Sequence, residues 1–195
     1  MSAVLTETQS KLMTADELLV LPNSRYGYEL VRGKLKKYMP GGNLHGIIIG
    51  RLARLISNYV HDNNLGETPA AETGYKIFFD PDTVRAPDIS FISKEKLMRI
   101  GITEKFFPAA PDLAVEVVSP NDREKDIQGK IADYLIADVP LIWIVRPKNQ
   151  TITVYRPDQE PQVLSRSNNL DGGNALPGFS CSLEQIFGNL PEIKE

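Results

Sequence analysis

The sequence predicts an α/β fold, a mixed sheet with helices on its faces. Three observations carry this. Residues 113–118 ("LAVEVV") are apolar on both parities except at Glu116, and "LIWIV" at 141–145 is apolar throughout. Runs of this kind make strands that are covered on both sides. Between them, Ile127, Ile131, Tyr134 and Leu135 repeat at helical spacing, which predicts a strand–helix–strand parallel crossover. Earlier in the chain, Leu44, Ile48, Leu52, Leu55 and Tyr59 mark a long amphipathic helix.

The remaining elements follow in order. Thr14 and Glu17 have capping-box spacing and open a short helix that Pro22 stops. "YGYELVRGKLKKYMP" predicts two strands about a turn at Gly33. After the long helix, "GYKIFFD" and "VRAPDISFIS" flank "PDT", a hairpin pattern. Pro87 has no N–H to donate, so its strand is interrupted there or lies at an edge. "EKLMRIG" predicts a short helix and "EKFFPAA" a loop. Pro120 closes the strand that holds Glu116, Asn121 or Asp122 is placed to cap the next helix (about 122–139), and Pro140 ends it. "LIWIV" should pair with "TITVYRP" across "PKNQ". Strand and loop follow, and "SLEQIFGNL" predicts a last short helix. With no repeat and no low-complexity linker, residues 14–195 are expected to form one domain, preceded by a flexible arm at 1–13.

Composition narrows the function classes. The chain has 195 residues, a formal net charge of −3 and a pI near 5.5. That argues against coating nucleic acid by bulk charge but leaves room for a local basic groove. A single cysteine, Cys181, excludes a disulfide framework or a cysteine-rich zinc site within the chain and fits a reducing cytoplasm. The first residues lack the charged start and apolar core of a signal peptide. No apolar stretch is long enough to span a membrane.

Two carboxylates sit where carboxylates are expensive. Glu116 interrupts a buried strand, and Asp88 lies among Ala86, Ile89, Phe91 and Ile92. A divalent cation is the simplest compensation, because hard oxygen ligands suit Mg²⁺. For Asp88 alone, a turn role or a pair with Arg85 competes evenly with that reading; for Glu116 no basic residue lies within the strand. In the following helix, Lys130 lies beside the core stripe and can reach back to the strand end, whereas Lys125 falls on the far side and points to water. A snorkelling surface lysine is the competing reading for Lys130. His45 reads as a satisfied boundary histidine. "GGNLHG" lacks either nucleotide-binding motif and reads as a turn.

"APDISFIS", then "PDLAVEVVSPND", a helix with a lysine and a tyrosine, and "WIV.P" together resemble the Uma-two family of restriction-endonuclease-like proteins in the PD-(D/E)xK nuclease superfamily. "YELVRGKL" and His45 also match, so the resemblance runs over roughly residues 14–157. It implies a restriction-endonuclease-like core with one metal site. Asp88 becomes the aspartate and Glu116 the (D/E) of the signature, and the backbone carbonyl of Val117 is a third ligand for Mg²⁺ (or Mn²⁺). Glu29 is a further acidic member of the site, a reading that competes evenly with a surface strand residue. The signature lysine belongs two residues after the glutamate, where this chain has Val118. Related proteins often supply it from the next helix, which fits Lys130. The resemblance implies a metal-dependent DNA endonuclease. The other reading is a non-catalytic DNA-binding or assembly module that keeps the fold. Arg32, Lys34, Lys36 and Lys37, with Lys94, Lys96 and Arg99, are candidate substrate contacts, and a homodimer is expected by analogy with nucleases that cut two strands.

Overall fold

The computed structural model describes residues 11–22, 26–71 and 73–190. Most of the expected N-terminal arm lies outside them. Of its last residues, Met13 donates its N–H to the Gly33 carbonyl at 2.9 Å.

Helix α1 (Ala15–Leu19) carries the full capping box: Thr14 and Glu17 each bond the other's backbone N–H. Strands β1 (Gly27–Val31) and β2 (Lys34–Tyr38) pair antiparallel about Arg32 and Gly33, both at positive φ as a tight hairpin turn requires. Helix α2 (Asn43–Asp62) buries Ile48, Leu52, Ile56 and Val60. A short β3 (Gly66–Glu67) follows, then the expected hairpin of β4 (Tyr75–Phe79) and β5 (Asp82–Arg85).

"VRAPDISFIS" is not one strand. It breaks at Ala86–Pro87–Asp88, and β6 (Ile89–Ser93) joins a different sheet from β5. The expected single sheet is therefore two principal ones, ordered β2-β1-β5-β4 and β10-β9-β8-β7-β6-β3. Helix α3 (Lys94–Ile100) leads to β7 (Leu113–Val117), α4 (Glu124–Ile136) and β8 (Leu141–Arg146). β7 and β8 pair in parallel from Leu113–Leu141 to Val117–Val145, the predicted crossover. Neither Asn121 nor Asp122 caps α4. Its N-cap is Arg123, and the Asp122 carboxylate instead accepts the Ser119 N–H at 2.7 Å. β9 (Thr151–Tyr155) and β10 (Gln162–Leu164) extend the larger sheet, and β11 (Asn169–Asp171) with β12 (Ser180–Ser182) forms a small ribbon before α5 (Leu183–Phe187).

The strand period divides the core. Leu113, Val115 and Val117 of β7 face α2 and α5. Ala114, with Ile142 and Ile144 of β8, faces Ile127, Ile131 and Tyr134 of α4. Glu116 shares the parity of Ala114, so it is fixed on the α4 side, at the end of the strand. No helix among the described residues is long and apolar enough to cross a membrane.

Candidate active site

Strand register brings the two carboxylates together. β6 and β7 are antiparallel with Ile89 opposite Val115, so one step further on Asp88 lies level with Glu116. Asp88 has left the ladder, because the break at Pro87 ends β6. Its Oδ2 instead accepts the Val117 N–H at 2.7 Å, continuing the pairing with a side chain. This cross-strand bond is neither the local turn role nor the Arg85 pair that the sequence allowed for; Arg85 pairs with Glu29 and Asp133 instead.

Glu116 is almost fully buried. Its Oε2 takes a hydrogen bond from Lys130 Nζ at 2.7 Å and its Oε1 one from the Tyr134 hydroxyl at 2.7 Å. Lys130 and Tyr134 are one helical turn apart on α4, so both reach the same strand end. Lys130 also stands 3.4 Å from Glu29 Oε1. Lys125 is exposed as expected, but it is not turned away from the site: it lines the same cleft as Lys130.

Glu29 is held mainly by Arg85. Nη1 of Arg85 meets its Oε2 at 2.8 Å, and the Ala86 N–H meets its Oε1 at 3.1 Å. The same guanidinium forks onto Asp133 Oδ2, at 3.0 Å from Nε and 2.5 Å from Nη2. Sequence reasoning missed this bridge and the Tyr134 bond. The sequence offers Arg85 only as a partner for Asp88 and places Tyr134 in the apolar stripe. The available signal was its i+4 spacing from Lys130.

The electrostatics follow from burial and this crowding. Desolvation pushes the Glu116 carboxyl up to about 7; Lys130 opposes that, while the charges of Asp88 and Glu29 add to it. Glu29 is as deeply buried, but Lys130 and Arg85 outweigh desolvation and hold it below the usual carboxylate range. Lys130 is desolvated too, yet the surrounding carboxylates raise it, so it stays an ammonium. Burial keeps Tyr134 a neutral donor. His45 Nε2 lies 3.5 Å from Asp88 Oδ2, and that contact raises the imidazole against its burial. His45 is thus the satisfied boundary residue the sequence suggested.

When all are ionised, the four carboxylates (Glu29, Asp88, Glu116, Asp133) exceed the two fixed cations (Arg85, Lys130) by two charges. Carboxylate oxygens such as those of Asp88 and Glu116 suit a hard divalent ion. No cage of three or more His, Cys, Asp or Glu side chains exists among the described residues, so such an ion would need backbone or water ligands as well.

All five residues singled out from the sequence (Glu29, Asp88, Glu116, Val117 and Lys130) line one cleft of about 690 Å³. Lys36, Lys37, Arg123 and Lys125 also line it. The β1–β2 register sets Lys36 opposite Glu29, which turns it inward. The expected α3 cluster is elsewhere: Lys96 is tied to Asp112 at 2.7 Å, and none of Lys94, Lys96 and Arg99 lines the cleft.

Comparison with known proteins bears on the fold and the family. A crystal structure of a putative nuclease belonging to DUF820, from Anabaena variabilis, matches with a TM-score of 0.76 at 26% identity, over 90% of this chain and 97% of that one. No curated protein is similar to the chain. The model of the Uma2 family, described as "Putative restriction endonuclease", matches residues 15–184. A match of that extent, on a nuclease-like mixed α/β architecture, places the chain in the Uma2 family.

Proposed function

We propose that this protein is a metal-dependent endonuclease that hydrolyses phosphodiester bonds in DNA. One observation carries the reading: Asp88, just before β6, and Glu116 of the adjacent β7 share a single cleft with Lys130 from the crossover helix. Asp88 and Glu116, with the carbonyl of Val117, would hold Mg²⁺ or Mn²⁺. Bound there, the ion supplies Lewis acidity towards a phosphate oxygen and lowers the pKa of a water. Lys130 stays cationic beside that position, orients the attacking water and steadies charge that develops on the phosphate. Glu29, clamped by Arg85, keeps Lys130 aimed. Lys36, Lys37, Arg123 and Lys125 hold the DNA backbone at the rim. Two copies would serve the two strands of a duplex, and a reducing cytoplasm suits the free, buried thiol of Cys181.

The test uses supercoiled plasmid with Mg²⁺ or Mn²⁺, comparing the native chain with Asp88→Asn and Glu116→Gln. The native protein should nick, and each variant should lose at least about 100-fold in rate, as when one preorganised charged contact is removed. Calorimetric titration with Mn²⁺ should show binding that both variants weaken. No nicking with either ion, or nicking that both variants retain, would leave a fold kept for DNA binding or assembly.

A further inference from the structure

A second groove, of about 390 Å³, opens on the other side of Asp88. It shares Ile49, Ala71 and Asp88 with the main cleft, so the two adjoin at these residues as one trough. Its chemistry differs from that of the main cleft. The main cleft is lined by several lysines and arginines. The second groove has one cation, Arg54, with the neutral hydrogen-bonding groups of Ser57, Asn58 and Thr68.

The helix that walls this groove has an oddity of its own. Gly46, Gly50, Ala53 and Ser57 follow at i, i+4, i+7 and i+11, a row of small residues along one side of α2. Gly46 and Gly50 are exposed, and a Cβ at either would meet nothing within 4 Å. Each costs the helix about 1 kcal/mol relative to alanine. Of this row, Ala53 and Ser57 line the second groove, whereas Gly46 and Gly50 line neither cavity. Arg54 and Asn58, one turn apart beside this row, make no ion pair or hydrogen bond among the described residues.

We infer that this second groove is a sequence-reading subsite for the DNA that flanks the cut, with Arg54 and Asn58 meeting base edges. The inference rests on the nuclease reading above. The occupant follows from continuity: a strand with its scissile phosphate at Asp88 and Glu116 must leave the site on one side or the other, and this trough is one of the two exits. From Ile49 to Asn58 the helix rises about 13 Å, which is the rise of about four nucleotides of one B-form strand. Arginine to guanine and asparagine to adenine are the pairings that fit these side chains, with Ser57 able to serve either base. Phosphate binding alone would call for more positive charge than one arginine provides.

The test is selection from a duplex pool with a randomised central segment, using the full chain, an Arg54→Ala/Asn58→Ala variant and a Lys36→Ala/Lys37→Ala variant. The native chain should enrich a motif of about four positions. The groove variant should lose that preference, with affinity for the enriched duplex falling about tenfold or more in fluorescence anisotropy. The hairpin variant should weaken binding to all sequences alike and keep the motif. The inference fails if the native chain enriches nothing, or if the groove variant enriches the same motif. Cutting of the enriched duplex with Mn²⁺ is scored separately. Enrichment without cutting overturns the nuclease reading and upholds the groove; cutting without enrichment does the reverse.

Discussion

At the scale of single residues, the site is a charge-balancing problem solved with few parts. Arg85 is the part whose loss should do most harm to the fold. It bridges Glu29 and Asp133, both buried, and among the described residues it is the cation paired with Asp133. Arg85→Met would leave two carboxylates in a low-dielectric interior, so we expect a loss of about 3–5 kcal/mol in urea unfolding. A variant within about 1 kcal/mol of the native chain would show that the bridge is incidental. Asp88 has a structural duty beside its proposed chemical one, because its Oδ2 satisfies the buried Val117 N–H. Asp88→Ala should therefore cost about 1–3 kcal/mol of stability, and Asp88→Asn, which keeps an acceptor, much less. Equal stabilities for the two variants would argue against that bond. The sequence revealed Glu116 as anomalous because strand parity is strict and a carboxylate breaks it visibly. It could not reveal Arg85 as the partner of Glu29, since spacing along a chain says nothing of which strand pairs with which.

At the scale of elements, turns and caps were the most legible features, because their chemistry is local. The Thr14–Glu17 box and the Gly33 turn formed as their residues demand. The cap of α4 was misjudged because Asp122 had a competing bond to Ser119. The short β3 was not legible at all: two residues hold its pairing, and the glycine among them is obligatory. Gly66 has a φ of +151°, and an added Cβ would stand 2.0 Å from the Ile92 carbonyl oxygen. Gly66→Ala should detach this edge at a cost of about 1–3 kcal/mol, read as a lowered urea midpoint and faster amide exchange at Glu67 and Ile92. Helix α1 is too short to stand alone and is tied down by Asp82, which accepts the Ala15 N–H at 2.7 Å and pairs with Lys76 at 2.8 Å. Burial alone would raise Asp82, but Lys76 and the Ala15 N–H outweigh it and lower the carboxyl. A carboxyl depressed by folding contributes stability above its unfolded pKa and loses it as pH falls through the folded one. Asp82→Asn should thus destabilise at pH 7, and the gap to the native chain should close below the ordinary carboxylate range. A gap that stays constant down to acid unfolding would contradict this.

At the scale of the whole molecule, the class and the crossover were legible because β7 and β8 are apolar on both parities. The division into two sheets was not. Only Pro87 signals it, and a proline marks an interruption without saying where the chain goes next. That division creates the site: the chain leaves one sheet at Arg85 and enters the other at Ile89, and Asp88 stands at the passage. The carboxylates gathered there have a global consequence. Under the proposed function, Mn²⁺ at 100 times its Kd should stabilise the native chain by about 2.7 kcal/mol, seen as a rise in Tm. Asp88→Asn should show little rise. Equal rises in both would place the ion somewhere else.

The position of the ammonium has a further consequence, for recognising such proteins. Lys130 stands fourteen residues beyond the glutamate it serves, and Val118 occupies the strand position. A linear pattern that demands lysine two residues after the acid would discard this chain, although the charge sits beside the same carboxylate. What folding preserves here is a meeting point in space. A useful search for kindred sequences would therefore ask for a lysine on the inner face of the next helix, followed one turn later by a tyrosine.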